Sequence, residues 1–217
     1  VKIVGFKDTY HAPLNPILNS VIIRLFKGDN DFGWDNNSTV YYLDRIITAT
    51  SIFFLLASIG VTFLFISRIF DAKIGGVTAL LMLLCELLWR YSQSGLPQML
   101  MLFLFTLGCY FVYRAVEAQC LEKKPLALLI LGAVCFGLLA LTHWMALWPF
   151  IGLVIFSCFY FKPRGAAGLS MLIVFLIIIL PWCLRNLNTA GDILGSGYFS
   201  MFGGMGAAEE EVFRSYN

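Results

Sequence analysis

Glu86 and Arg90 stand four residues apart, a spacing that sets a carboxylate and a guanidinium on one helical face. They interrupt a strongly apolar stretch, where charge is costly and calls for a partner or a task. The pair either neutralises itself, or Arg90 holds an anionic group while Glu86 orients it. His143 and Trp144 form a second polar interruption, suited to capping and interfacial anchoring or to contacting a polar ligand. Arg185 and Asn186 follow Pro181-Trp182. An arginine at a helix C-terminus is favoured by the dipole and can reach toward water. That accounts for Arg185 alone and leaves the string PWCLRN unexplained. Asp44-Arg45 read most simply as a charge pair at an interface.

Motifs of soluble enzymes are missing: there is no P-loop, GxGxxG, GxSxG, HExxH or metal-spaced cluster of histidine and cysteine. The six cysteines (Cys85, Cys109, Cys120, Cys135, Cys158 and Cys183) lie in or beside apolar runs without CxxC spacing. They read as small helix residues rather than a disulfide or zinc framework.

The elements that must position these groups are hydrophobic helices. Of 217 residues 59% are hydrophobic and 13% charged, and mean hydropathy is +0.82. That is too little charge to cover a soluble domain, so the solvent is mainly lipid. A net charge of +2 argues against nucleic acid as a partner. The fold class expected is an all-α, multi-pass membrane bundle of about six spans. These are Ile46–Ser67, Ile74–Trp89, Leu96–Tyr113, Pro125–Leu141, Trp144–Phe161 and Leu169–Trp182. The second and sixth would cover only roughly 21–24 Å of a ~30 Å hydrocarbon core, so they extend, thin the bilayer or line a cavity.

Basic residues cluster in alternate connections: Arg68 and Lys73, then Arg114, Lys123 and Lys124, then Lys162 and Arg164. These should face the cytoplasm. The expected outer side then holds residues 1–45, the 90–95 turn, His143 and everything from Arg185 onward. This divides the chain into an outer segment 1–45, a membrane domain 46–187 and an outer loop 188–217. Within the first segment, Pro13–Lys27 spaces Leu14, Ile17, Leu18, Val21, Ile22 and Leu25 as an amphipathic helix lying in the outer interface. Lys27–Thr39 reads as a polar loop with sequons at Asn36 and Asn37, and Gly195–Gly206 as a glycine-rich loop before a short helix at Ala207–Arg214. No signal peptide is visible, and Val1 and the polar C-terminus suggest a piece of a longer chain.

The order of motifs resembles the GT-C glycosyltransferases, in particular the protein-mannosyltransferase and aminoarabinose-transferase-like superfamily. The resemblance is carried by His11-Ala12-Pro13-Leu14 before the amphipathic helix and Tyr42-Leu43-Asp44-Arg45 entering the first span. It continues with RIFDAKIGG at Arg68–Gly76, Tyr91–Pro97 between the second and third spans, and PWCLRNLNTAG at Pro181–Gly191. It covers nearly the whole chain, and its weight lies in the order of HAPL and PWCLRN. It implies a polyprenyl-phosphate-linked sugar donor in an outer-facing cavity and sugar transfer to an acceptor on that side. It also implies a carboxylate in the first outer loop, with positive groups against the leaving phosphate. His11 stands near the family residue that approaches the donor phosphate. Arg90, His143, Arg185 and Asn186 join it as candidates from their outer-end positions. Asp8 is the only carboxylate before HAPL and so the candidate catalytic residue. The family's acidic motif normally lies further upstream, behind a first transmembrane helix. Either that helix and its aspartate belong to a longer chain, or the activity has been lost. No cofactor follows beyond a divalent cation, which the resemblance leaves open.

Three functions are therefore expected in descending order. The first is a glycosyltransferase in a bacterial inner membrane or endoplasmic reticulum, its site facing periplasm or lumen. The second is a non-catalytic GT-C-like subunit packed against other membrane proteins. The third is a transporter, which the lack of an inverted repeat disfavours.

Overall fold

The structure, a computed structural model, describes residues 12–26, 42–190 and 193. Among them all regular structure is helical: α1 Leu14–Phe26, α2 Tyr42–Ile69, α3 Ala72–Leu84, α4 Glu86–Gln93, α5 Gln98–Cys120, α6 Leu126–Ala140, α7 Leu147–Tyr160 and α8 Ala166–Ala190. A single 3-10 turn, Trp144–Ala146, precedes α7. The chain is thus a membrane-type helical protein. Three helices (α2, α5 and α8) are long and apolar enough to cross a bilayer, four if the bent α3–α4 pair counts as one span. The helices α6 and α7 are apolar but shorter. The helix expected at Pro13–Lys27 forms as α1; the sequon loop, the glycine-rich tail and the Ala207–Arg214 segment lie outside the described residues.

Two compact units divide the chain, Leu14–Leu128 and a second made of Ala12–Pro13 with the residues from Leu129 onward. In the first, α2 and α5 run parallel. Phe54 meets Phe103 near their starts, Phe65 meets Tyr113 further along, and Arg68 pairs with Glu117 at 3.1 Å near their ends. The pair α3–α4 supplies the return. Gly75 lets α3 approach α2 so closely that a Cβ there would overlap the Ser67 hydroxyl and press on the Phe63 carbonyl. At the other end Gly95, with φ +70°, sits against Ile47. Two connections rich in basic residues, after α2 and after α5, consequently share one end of this unit. Glu117 draws both Arg68 and Arg114 there; Arg114 Nε lies 3.1 Å from the carboxylate, near enough for an ion pair but without hydrogen-bond alignment.

The expected second span, Ile74–Trp89, is not one helix. It breaks at Cys85, whose extended backbone (φ −73°, ψ 106°) turns α4 by 56° from α3. Neither proline nor glycine marks this break. What changes there is composition, from unbroken apolar residues to the amphipathic stretch Glu86–Gln93. Trp89 compensates the interrupted ladder by donating its indole N–H to the Leu83 carbonyl at 2.6 Å. The α3–α4 pair also runs from Ala72 to Gln93, past both ends of the expected span, so the segment extends through its flanking residues and bends.

The second unit is built on the α7–α8 hairpin. Gly168 packs on Val154 and Cys158 near the turn, and Phe150 stacks on Phe175 with ring centroids 3.9 Å apart. Phe136 of α6 adds a tilted ring at 6.1 Å from Phe150, and Gly137 lies against Ile178. Pro181 does not end α8, which the sequence places at Trp182; the helix continues through Ala190. Proline removes only the N–H that would have reached Ile177, a loss that packed membrane helices tolerate.

Candidate functional site

The register of the α7–α8 hairpin decides which polar residues meet. From the Phe150–Phe175 stack, moving back along the chain from α7 and forward along α8 sets Trp144 opposite Pro181–Trp182. Asn186 lies one helical turn beyond Trp182 on the same face. The strings His143-Trp144 and Pro181–Asn186, distant in sequence, are therefore brought to one end of one unit.

Three N–H donor groups at this end of the unit lack acceptors among the described residues. Trp144 is 2% exposed and Asn186 0%. The Trp144 and Trp182 indole nitrogens and the Asn186 amide nitrogen all lack a hydrogen-bond partner among the described residues. Such groups are rare in folded proteins because each carries the cost of leaving water unpaired. Arg185 lies over the Trp182 ring, 4.2 Å from its centroid, and donates to Asn186 Oδ1 at 3.4 Å. That contact commits the asparagine oxygen to Arg185, while its amide nitrogen has no partner among the described residues. The arrangement is a cation with several buried donors, which suits oxygen atoms bearing negative charge.

His143 caps the 3-10 turn: its Nδ1 accepts the Met145 backbone N–H at 3.2 Å. The ring proton of the neutral form therefore sits on Nε2, one further donor at this end. Burial lowers the His143 pKa below its ordinary 6.5. Below that value the unfolded chain takes up a proton that the folded one resists, so stability falls as pH drops through about 6.5 and levels off beneath the lowered folded value. Thermal midpoints in detergent are expected to decline on acidification, and His143→Asn, which keeps a capping acceptor, to flatten that decline. An unchanged pH dependence in the variant would remove His143 as its source.

The other sequence candidates fall elsewhere. Asp8 and His11 lie outside the described residues. Ala12, beside His11, is buried and groups with this second unit rather than with α1. Arg90 belongs to the first unit, where it pairs with Glu86 at 2.6 Å on a face that leaves both side chains about three-quarters exposed. A pair so exposed contributes little stability. The tryptophans were the residues that sequence reasoning missed. Trp144 reads as an interfacial anchor and Trp182 as part of the PWCLRN string, and only burial shows that neither indole N–H has a partner among the described residues. Among the described residues no group of three or more histidine, cysteine or acidic side chains could hold a metal ion.

No protein-family model, curated protein or solved structure matches this chain.

Proposed function

We propose that the chain is the membrane part of a glycosyltransferase that moves a sugar from a polyprenyl-phosphate donor to an acceptor on the outer face. In this reading α2, α3–α4, α5, α6, α7 and α8 make six crossings, and α1 lies in the outer interface. The basic connections face the cytoplasm of a bacterial inner membrane or endoplasmic reticulum. The observation that carries the proposal is that the end of the unit bearing Arg185 also holds donors at Trp144, Trp182 and Asn186 that have no acceptor among the described residues. Transfer breaks the bond between the sugar's anomeric carbon and a phosphate oxygen, whose electron pair stays on the phosphate. The acceptor oxygen bonds to that carbon and its proton passes to a base. Donors held ready where charge develops lower the barrier to such a step.

The test is transfer from a labelled polyprenyl-phosphate sugar in proteoliposomes carrying the full chain. Asn186→Leu removes a buried donor to a charged oxygen and is expected to slow transfer by about tenfold or more. Equal rates in variant and parent would overturn the role given to Asn186. One observation favours a second reading, a non-catalytic subunit of a larger membrane assembly. The described residues from Leu129 onward include no aspartate or glutamate that could serve as base. Fixed-stoichiometry co-purification with other membrane proteins, and no transfer by the isolated chain, would select that reading.

A further inference from the structure

An apolar groove of about 370 Å³ runs between α1 and α2, inside the first unit. Ile22 and Phe26 form one wall, and Ile46, Ala49, Phe53 and Phe54 the other. Among the described lining residues Thr50 is the only polar one, and its hydroxyl already donates to the Ile46 carbonyl at 2.9 Å. These described walls offer no unsatisfied group and suit a hydrocarbon occupant. The groove's volume is that of a single fatty-acyl chain, short of a long polyisoprenoid. Its α2 wall is part of a helix apolar and long enough to cross the bilayer, so lipid is the medium it opens to.

Among the described charged residues, Arg45 marks the head-group end. Arg45 is exposed and stands one helical turn before Ala49 on the same face, at the groove's N-terminal mouth. Asp44 points about a quarter-turn away from Arg45, and Arg24 lies on the side of α1 opposite Ile22 and Phe26. A cation at the mouth of a hydrocarbon slot matches an amphiphile with a phosphate at its head. We infer that the α1–α2 groove is a binding site for one acyl chain of an anionic phospholipid, with its phosphate at Arg45. This site is independent of the donor cluster at Trp144 and Asn186, and of the sugar-transfer reading.

Native mass spectrometry of the full chain, taken from bilayers of phosphatidylcholine with a minor fraction of phosphatidylglycerol, tests it. The parent should retain phosphatidylglycerol in preference to phosphatidylcholine. Ala49→Trp, which fills the groove, should lose that lipid. Arg45→Gln, an exposed change that leaves the packing intact, should keep a bound lipid but reduce the anionic preference by about fivefold. Retention by Ala49→Trp at parental levels overturns the site, as does an unaltered preference in Arg45→Gln. If added polyprenyl phosphate displaces the phospholipid from the parent and Ala49→Trp blocks its binding, the groove belongs to the isoprenoid and the phospholipid assignment fails.

Discussion

Phe150→Ala is expected to be among the most destabilising single changes in this chain, costing about 3 kcal/mol, the lower end of the range for phenylalanine truncation in cores. The ring is 2% exposed, stacks on Phe175 at 3.9 Å and meets Phe136. In a soluble protein part of the loss would come from transfer out of water. Lipid tails are as apolar as the core, so here the loss is mainly of packing between rings that hold α6, α7 and α8 together. Phe159 is the control, since 77% of it is exposed and its removal leaves little void. Unfolding in mixed detergent micelles should separate the two variants clearly. Equal stability of Phe150→Ala and Phe159→Ala would mean that the three-ring stack does not hold the hairpin. It would also withdraw the register from which the donor cluster was derived.

Arg185→Met is expected to weaken retention of a phosphate-bearing polyprenyl lipid by between about tenfold and hundredfold, the equivalent of one charged hydrogen bond. Methionine keeps much of the side chain's apolar length but loses both the charge and the contact over Trp182 at 4.2 Å. Arg185→Lys separates these contributions. It restores the charge without the planar guanidinium that lies on the indole and reaches Asn186, so partial recovery is expected. Binding measured by competition with a fluorescent polyprenyl phosphate gives the answer without requiring turnover. Full binding by Arg185→Met would show that this cation does not hold the phosphate.

Legibility differed between elements for physical reasons. Long apolar runs announced α2, α5 and α8, because nothing but a membrane or a large core accommodates such segments. The leucine and isoleucine spacing of α1 was equally plain. The break at Cys85 was not, since no proline or glycine signals it and the indole that stabilises it acts through tertiary geometry. The continuation of α8 beyond Trp182 was not legible either, since a proline inside a helix ordinarily ends or kinks it. In a packed apolar surrounding, continuing the helix satisfies more backbone groups than ending it.

Composition and spacing alone determined that the chain is helical and membrane-type, that Glu86 and Arg90 could pair, and that Arg185 and Asn186 close an apolar segment. Those features depend on neighbours a few residues apart, which the chain's order specifies directly. Sequence already set His143 and Arg185 on one side of the membrane; only the tertiary structure decided the register that sets Trp144 opposite Pro181–Trp182, and that the indoles and amide there lack acceptors among the described residues. Helical register and burial arise from side chains packing across the hairpin, as Phe150 does on Phe175. Local patterns in one strand of sequence do not encode which distant residue will be met.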